Sequence, residues 1–322
     1  MNETSPTQEK RRKTRLLLVL FAVLLLTVGL AWALVKAKQQ PLENGARLAD
    51  RLGAEGLSAH WPDRDVSWYV IEEDGHPIGM SVRGLWRRDD GGYDGLEVLQ
   101  RTNTVSAAVW TLAPKADRGT YLGRSLQVHP RFGQVESKAF VRLGDQRVRI
   151  LQGGEVSSAA RAPANYAPEG TLDLLIALAG RADRNAQFQV TLDSVPPWGT
   201  MPRFFPIYAR PADGAENGQV TVRVERKFGR SSQADLHTYD ANNVLARLKS
   251  GRVVQRRISR KEALDALPGG LELLTQQVKL LRRTRGQEVP VQSWGRMLGD
   301  LFGPAETRPN VPAPTSLPPG AI

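Results

Sequence analysis

Four histidines, scattered carboxylates and no cysteine are the groups from which this chain could build chemistry. His60, His76, His129 and His237 stand far apart, and none falls in an H-x-H or H-E-x-x-H spacing that would set two imidazoles on one metal ion. The run His60-Trp61-Pro62-Asp63-Arg64-Asp65 brings nitrogen and oxygen ligands together, but it reads as the turn that opens a strand. A turn alone supplies little ligand geometry, so no metal is expected. Glu72-Glu73-Asp74 and Asp89-Asp90 offer neighbouring carboxylates. Glycoside hydrolysis needs two that face each other at about 5–9.5 Å, whereas strand neighbours point to opposite faces and turn tips are solvated. There is no G-x-S-x-G elbow, S-x-x-K pair, Walker A loop or G-x-G-x-x-G. Without cysteine there is no disulfide, thiolate zinc site, thiol nucleophile or acylated lipobox. The expectation is a non-enzyme with no catalytic residue, no metal and no cofactor.

Binding chemistry has more to work with. From Arg223 to Arg285 there are fifteen Lys/Arg against six Asp/Glu, which accounts for the basic excess of everything after the first fifteen residues. Arg252, Arg256, Arg257, Arg282 and Arg283 are the candidates for a basic face at a membrane surface, drawn to anionic headgroups. A solvated sheet face, acidic glycans or partner proteins would account for the same charges. Nucleic acid is not expected, since the run lacks interleaved stacking aromatics. Val195 to Pro211 packs five prolines with Trp198, Phe204, Phe205 and Tyr208. This is either a rigid loop over one end of a sheet or the apolar rim of a ligand pocket. Leu175, in the apolar run Thr171–Ala179, is open to the same two readings: core or cavity lining.

These groups must be positioned by the rest of the chain. Leu16–Val35 is an uncharged run of 20 residues, nine of them Leu. As a helix it spans about 30 Å, a bilayer's hydrocarbon thickness. Lys10, Arg11, Arg12, Lys13 and Arg15 precede it and only Lys36 and Lys38 follow closely. That bias predicts a cytoplasmic N-terminus, an inner-membrane anchor and a periplasmic or extracytoplasmic main domain. A cleaved signal peptide is the alternative, with Ala31-Trp32-Ala33 as a passable site. The parts are then a basic tail (1–15), a transmembrane helix (16–35), a helical stalk (36–62), a β-rich domain (63–268), amphipathic helices (269–302) and a Pro-rich tail (303–322).

The stalk places Leu48, Leu52 and Leu57 at near-helical spacing. Beyond it the period drops to two: Val66, Trp68 and Val70, then Ile78, Met80 and Val82 beyond Asp74-Gly75-His76-Pro77, predict a hairpin. Further strands are expected over 93–112, 140–151 and 220–224. Leu236–Tyr239, Val244–Lys249 and Arg252–Ile258 form a meander, turning at Asp240–Asn243 and Ser250-Gly251. Short turns without intervening helices predict an antiparallel sheet. Thr171–Ala179, apolar almost all round, predicts a buried helix against its concave face. Ser259-Arg260-Lys261-Glu262 is a capping box. Leu271, Leu274, Val278 and Leu281, then Val291, Trp294, Leu298 and Leu301, mark two amphipathic helices. The second would dock on the domain or lie on the membrane. The fold class is mainly β with minor α: a curved antiparallel sheet or partial barrel, a short buried helix, C-terminal helices and an N-terminal transmembrane helix.

The hairpin Ser67-Trp68-Tyr69-Val70 … Asp74-Gly75-His76-Pro77-Ile78-Gly79 resembles the opening element of an uncharacterised family of bacterial periplasmic proteins. Asn165-Tyr166-Ala167-Pro168-Glu169-Gly170 is similar to that family's middle element, and Tyr239-Asp240 … Val244-Leu245-Ala246-Arg247 with Ile258–Ala263 to its closing meander and helix. The resemblance covers about residues 66–268. It implies a curved antiparallel sheet similar to the lipoprotein carriers of the cell envelope, and it brings no catalytic residue. Two functions stay open: binding an apolar or lipidic ligand in the sheet's concavity, or serving as an interaction subunit with an envelope protein partner.

Overall fold

The computed structural model describes residues 6–101, 104–112, 121–129, 133–136, 139–143, 147–152, 155–191, 204–212, 218–228, 231–266, 269–285 and 291–303. Among them a few side chains are not described, chiefly those of 6–17, 121–147, 149–159 and 280–285.

The chain begins with one unbroken helix, α1 (Pro6–Glu55), which carries Pro41 within it. Its large apolar side chains from Leu18 to Val35 are each more than half exposed, a surface that only an apolar medium covers well. Such a helix is long and apolar enough to serve as a membrane anchor or a signal. The apolar run and the stalk are therefore one element. From Asn44 onward the same helix is packed. Asn44, Leu48 and Leu52 are buried, and Asn44 Nδ2 donates to Asn185 O at 2.9 Å. The helix ends where Gly56 adopts a left-handed backbone, φ 83°, with its N–H returned to Leu52 O. A 3₁₀ turn, Leu57–Ala59, completes the stalk.

Fifteen strands follow among the described residues: β1 (Arg64–Glu73), β2 (His76–Arg87), β3 (Tyr93–Arg101), β4 (Thr104–Leu112), β5 (Tyr121–His129), β6 (Gly133–Glu136), β7 (Ala139–Leu143), β8 (Arg147–Gln152), β9 (Glu155–Arg161), β10 (Ala186–Val190), β11 (Phe205–Ala212), β12 (Val220–Phe228), β13 (Ser231–Tyr239), β14 (Leu245–Ser250) and β15 (Val253–Ile258). All fall in one antiparallel sheet, ordered β10-β11-β12-β13-β14-β15-β1-β2-β3-β4-β5-β7-β8-β9, with β6 beside β5. The β1–β2 turn, Asp74-Gly75, has both φ values positive (50° and 83°), the backbone that a two-residue hairpin requires.

Helix α2 (Glu169–Arg181) shows how the sheet is curved. It packs on β10, β11, β12 and β5, and its Asp173 reaches side chains of both β2 and β13. Strands so far apart in the order touch one helix only because the sheet curls around it. The segment after β9 then returns to the free edge of β10: Ala167 N–H donates to Gln189 O, and Gln189 N–H to Asn165 O. An exposed edge is thereby covered.

The alternation of strand residues divides the interior into two cores. Tyr69, Leu85, Tyr93 and Leu112 face inward with α2 and the end of α1. Trp68, Val70, Met80, Val82, Leu96 and Val98 point to the other face, where Leu274, Val278, Met297 and Leu301 cover most of them. Those come from α4 (Gly270–Arg285) and α5 (Trp294–Phe302), preceded by α3 (Arg260–Ala266). The capping box forms: Ser259 N–H donates to Glu262 Oε2 at 2.8 Å and Glu262 N–H to Ser259 Oγ at 3.2 Å. The helix bearing Trp294 docks on the domain. Trp86 Nε1–H donates to Asp300 Oδ2 at 2.7 Å, and Asp94 Oδ2 accepts the N–H groups of Gln292 and Ser293 ahead of α5.

The join between α1 and the domain rests on Gly45, where a Cβ would sit 2.0 Å from Gln187 O. Gly45→Val therefore has to push the helix off β10. It should lower stability by about 1–3 kcal/mol in urea titrations of the detergent-solubilised chain. Trypsin should then cut at Arg47 or Arg51, which the intact junction protects.

Candidate functional site

Inside the curl, between α2, the turn after α1 and β1–β4, lies a cavity of about 120 Å³. The strand period sets its wall. Asp65 and Tyr69 on β1, Arg83 on β2, Glu97 on β3 and Trp110 on β4 all fall on the inner face. Trp61 enters from the 3₁₀ turn and stacks on Trp110 at 6.1 Å, with Tyr93 edge-on at 5.5 Å. Trp110 lies over its cross-strand partner Gly95, where a Cβ would meet the indole at 2.0 Å. Only glycine lets that ring lie flat on the sheet.

A polar network runs from this wall into the core. Arg83 and Glu97 are cross-strand partners, joined at 2.9 Å. Arg83 also reaches Asp173 of α2 at 2.6 Å, and its guanidinium lies 5.9 Å from the Tyr69 ring. The Tyr69 hydroxyl donates to Leu245 O at 2.7 Å. Asp173 Oδ1 accepts the Tyr239 hydroxyl at 3.0 Å, and that hydroxyl lies 3.0 Å from His237 Nδ1. A phenol has one proton, and here it goes to the carboxylate. His237 Nδ1 must then be the protonated nitrogen, which leaves Nε2 an acceptor. That Nε2 is buried and has no hydrogen-bond partner among the described residues. Beyond it, buried Asp235 is paired with Arg226.

The electrostatics fix these charges in place. Burial alone would raise the Asp173 carboxyl, but Arg83 beside it, together with the Tyr239 hydroxyl and the neighbouring His237 and Arg226, holds it below the usual range. Burial would likewise weaken the Arg83 guanidinium; Glu97 and Asp173 reverse the effect and keep it charged. Burial pushes Tyr239 well up, and Asp173 adds to it. Burial pushes His237 down to about 4, so its ring is neutral near pH 7. Asp173, Tyr239 and His237 all move away from neutrality, the reverse of what general acid–base work requires. Among the described residues no three His, Asp or Glu stand close enough to hold a metal ion.

The structure places the residues singled out from the sequence as follows. Leu175 is buried on α2 in the inner core. Phe205 and Tyr208 lie half-buried on β11, with the Lys227 ammonium 4.9 Å from the Tyr208 ring, and Phe204 packs edge-on against Tyr166. None of these four lines the cavity, and Trp198 lies outside the described residues. Arg252 pairs with Asp74 at 3.5 Å, Arg256 with Glu72 at 2.9 Å, and Arg257 with both Asp65 and Asp240 at 2.8 Å. Arg282 and Arg283 fall in the last turn of α4, their side chains outside those described. Trp61 and Asp65, from the turn run beginning at His60, do line the cavity.

Sequence reasoning missed Arg83, Glu97, Asp173, His237 and Tyr239. One signal was available: Asp173 is the only charge in the apolar run Thr171–Ala179, and a charge on a buried helix must be paired.

No family model matches the sequence, and no curated protein matches it. Among solved structures the fold is similar to a β-barrel-like protein of a domain of unknown function, DUF1849, from Brucella abortus. Identity is 11%, the match covers 62% of this chain and 95% of that one, and the TM-score is 0.42. A DUF1089 family protein from Pseudomonas aeruginosa is similar at 13% identity, covering 52% and 87%, with a TM-score of 0.34. At such scores nothing about binding or activity passes from either protein to this one.

His237 is held neutral in the folded state, with a pKa of about 4 against an ordinary value of 6.5. The unfolded chain takes up this proton first, so the contribution is complete above about pH 6.5 and drains away as pH falls toward 4. Its full size is about 3 kcal/mol. Urea titrations at pH 7 and pH 4.5 should show a loss in the native chain that is clearly smaller in His237→Gln. Equal losses in both would remove His237 as the cause.

Proposed function

We propose that this chain is a single-pass protein of the cytoplasmic membrane, with its β domain on the outer face as a non-catalytic accessory subunit of an envelope assembly. The observation that carries this reading is the filling of the sheet's interior. Leu174, Leu175, Ile176, Ala177 and Ala179 of α2 are each no more than 1% exposed and occupy the place where a carrier would hold acyl chains. Drug-sized ligand pockets run to about 300–1,000 Å³. The cavity beside α2 is about 120 Å³ and has charged groups in its wall.

The rigid tether supports the same reading. About nine residues, or roughly 14 Å of helix, separate Val35 from the first packed residue, Asn44. A protein that presents one surface to a membrane-bound partner gains from a fixed height and angle, whereas a shuttling carrier does not. The basic flank of Lys10, Arg11, Arg12, Lys13 and Arg15 supports a cytoplasmic N-terminus.

Two measurements test this. The chain has no cysteine, so Ser5→Cys and Lys249→Cys can be probed in intact cells with a membrane-impermeant maleimide. Only the second should label; labelling of Ser5→Cys alone would reverse the topology. Mass spectrometry of the solubilised, purified chain should find no lipid at one-to-one stoichiometry. A tightly retained acyl lipid would restore the carrier.

A further inference from the structure

The protein is strongly basic, with a formal net charge of +11, yet the charges around its interior cavity run the other way. Among the described residues Asp65, Glu97 and Asp173 line it against a single lining cation, Arg83. Arg83 is divided between Glu97 at 2.9 Å and Asp173 at 2.6 Å. Arg257 is divided in the same way between Asp65 and Asp240. Among the described side chains, four carboxylates therefore share two guanidiniums. Arg181 bonds the main-chain oxygen of Asp240, and counting it as well still leaves one negative charge over. Arg226 is already paired with Asp235, and His237 is neutral.

A wall with surplus negative charge and the indoles of Trp61 and Trp110 combines the two features that suit an organic cation, carboxylates and an aromatic surface. We propose that this cavity binds a small organic cation, an ammonium group whose charge is met by Glu97 and Asp173 and whose apolar substituents lie against Trp61 and Trp110. The volume of about 120 Å³ suits one methylated ammonium group, being slightly below a benzene-binding cavity of about 150 Å³. A bare divalent ion would need several oxygens converging on one point, and no such cluster exists among the described residues. A neutral sugar ring would stack on the indoles but leave the surplus charge unmet.

The site lies at the end of α1 farthest from the apolar segment. Val35 to Glu55 is about 30 Å of helix, and Trp61 follows the next turn. The ammonium group could belong to a free solute or to a lipid headgroup, and the two sources are separable.

The experiment is calorimetric titration of the full chain in detergent micelles with choline, tetramethylammonium and 3,3-dimethylbutan-1-ol, the uncharged isostere of choline. Both cations should bind about tenfold or more tighter than the alcohol. Glu97→Gln should weaken choline about tenfold and leave the alcohol unchanged. Trp110→Leu should weaken both and reduce the tryptophan fluorescence change on binding. If either variant melts early, the comparison of choline with its isostere in the native chain stands alone. Equal affinity for the alcohol, or no binding of any of the three, overturns the proposal. So does a monosaccharide that binds where choline does not. Phosphatidylcholine vesicles that displace tetramethylammonium, where phosphatidylglycerol vesicles do not, assign the headgroup as the source; no displacement assigns a free solute.

Discussion

Helix α2 imposes the constraint from which the domain's shape follows. It is apolar on nearly every side, so one flat sheet face cannot cover it; cover has to come from several directions at once. A long antiparallel sheet meets that demand by curling, bringing β2, β5, β10 and β13 to the same short helix. Asp173, the one charge within its apolar run Thr171–Ala179, is only partly exposed. It is met by Arg83 from one side and by Tyr239 from the other. Removing one partner of such a set costs far more than the set contributes in net terms, because the other charge stays behind unpaired. Apolar packing thus makes the curl, and the contacts of Asp173 with Arg83 and Tyr239 tie its two sides together.

The same logic extends to the tether. An apolar helix that ended at Val35 would leave the domain free to tumble on a flexible stalk. Here the helix runs on and buries Leu48 and Leu52 in the same core as α2. Each fully buried leucine contributes roughly 1.5–3 kcal/mol. Gly45 permits it, because helix backbone and β10 backbone approach so closely that no side chain fits between them. Pro41 lies between the apolar segment and this contact, so any bend it introduces is set before the helix meets the domain.

Most of the architecture was legible in the sequence, because period and turn chemistry are local. The period of two over 64–87 with Asp74-Gly75 at its centre, the capping box at Ser259, and the leucine stripe of the stalk all reappear where expected. The site was not legible, for a physical reason. Arg83 and Glu97 lie 14 residues apart, Arg83 and Asp173 lie 90 apart, and what joins them is strand pairing and the curl, neither of which leaves a local pattern. The aromatic-proline stretch drew attention because its residues are adjacent in sequence. The tryptophans that stack in the cavity, Trp61 and Trp110, come from opposite ends of four strands.

The basic excess takes on a different meaning once pairing is seen. Arg252, Arg256 and Arg257 count as cations in the sequence, but each has a carboxylate within 3.5 Å. Two of these carboxylates, Glu72 and Asp74, belong to the turn-tip acids set aside above as a catalytic pair. Two sequence features that looked independent, an acidic hairpin end and a basic meander, are the two halves of one β1–β15 contact. Exposed pairs of this kind contribute little to stability, typically under 1 kcal/mol each. They do set register, since a slip of one residue along β15 would carry Arg256 to the opposite face, away from Glu72. Formal net charge therefore overstates what the meander can offer a partner. Beside the cavity the balance is reversed, with Asp65, Glu97 and Asp173 lining it against Arg83.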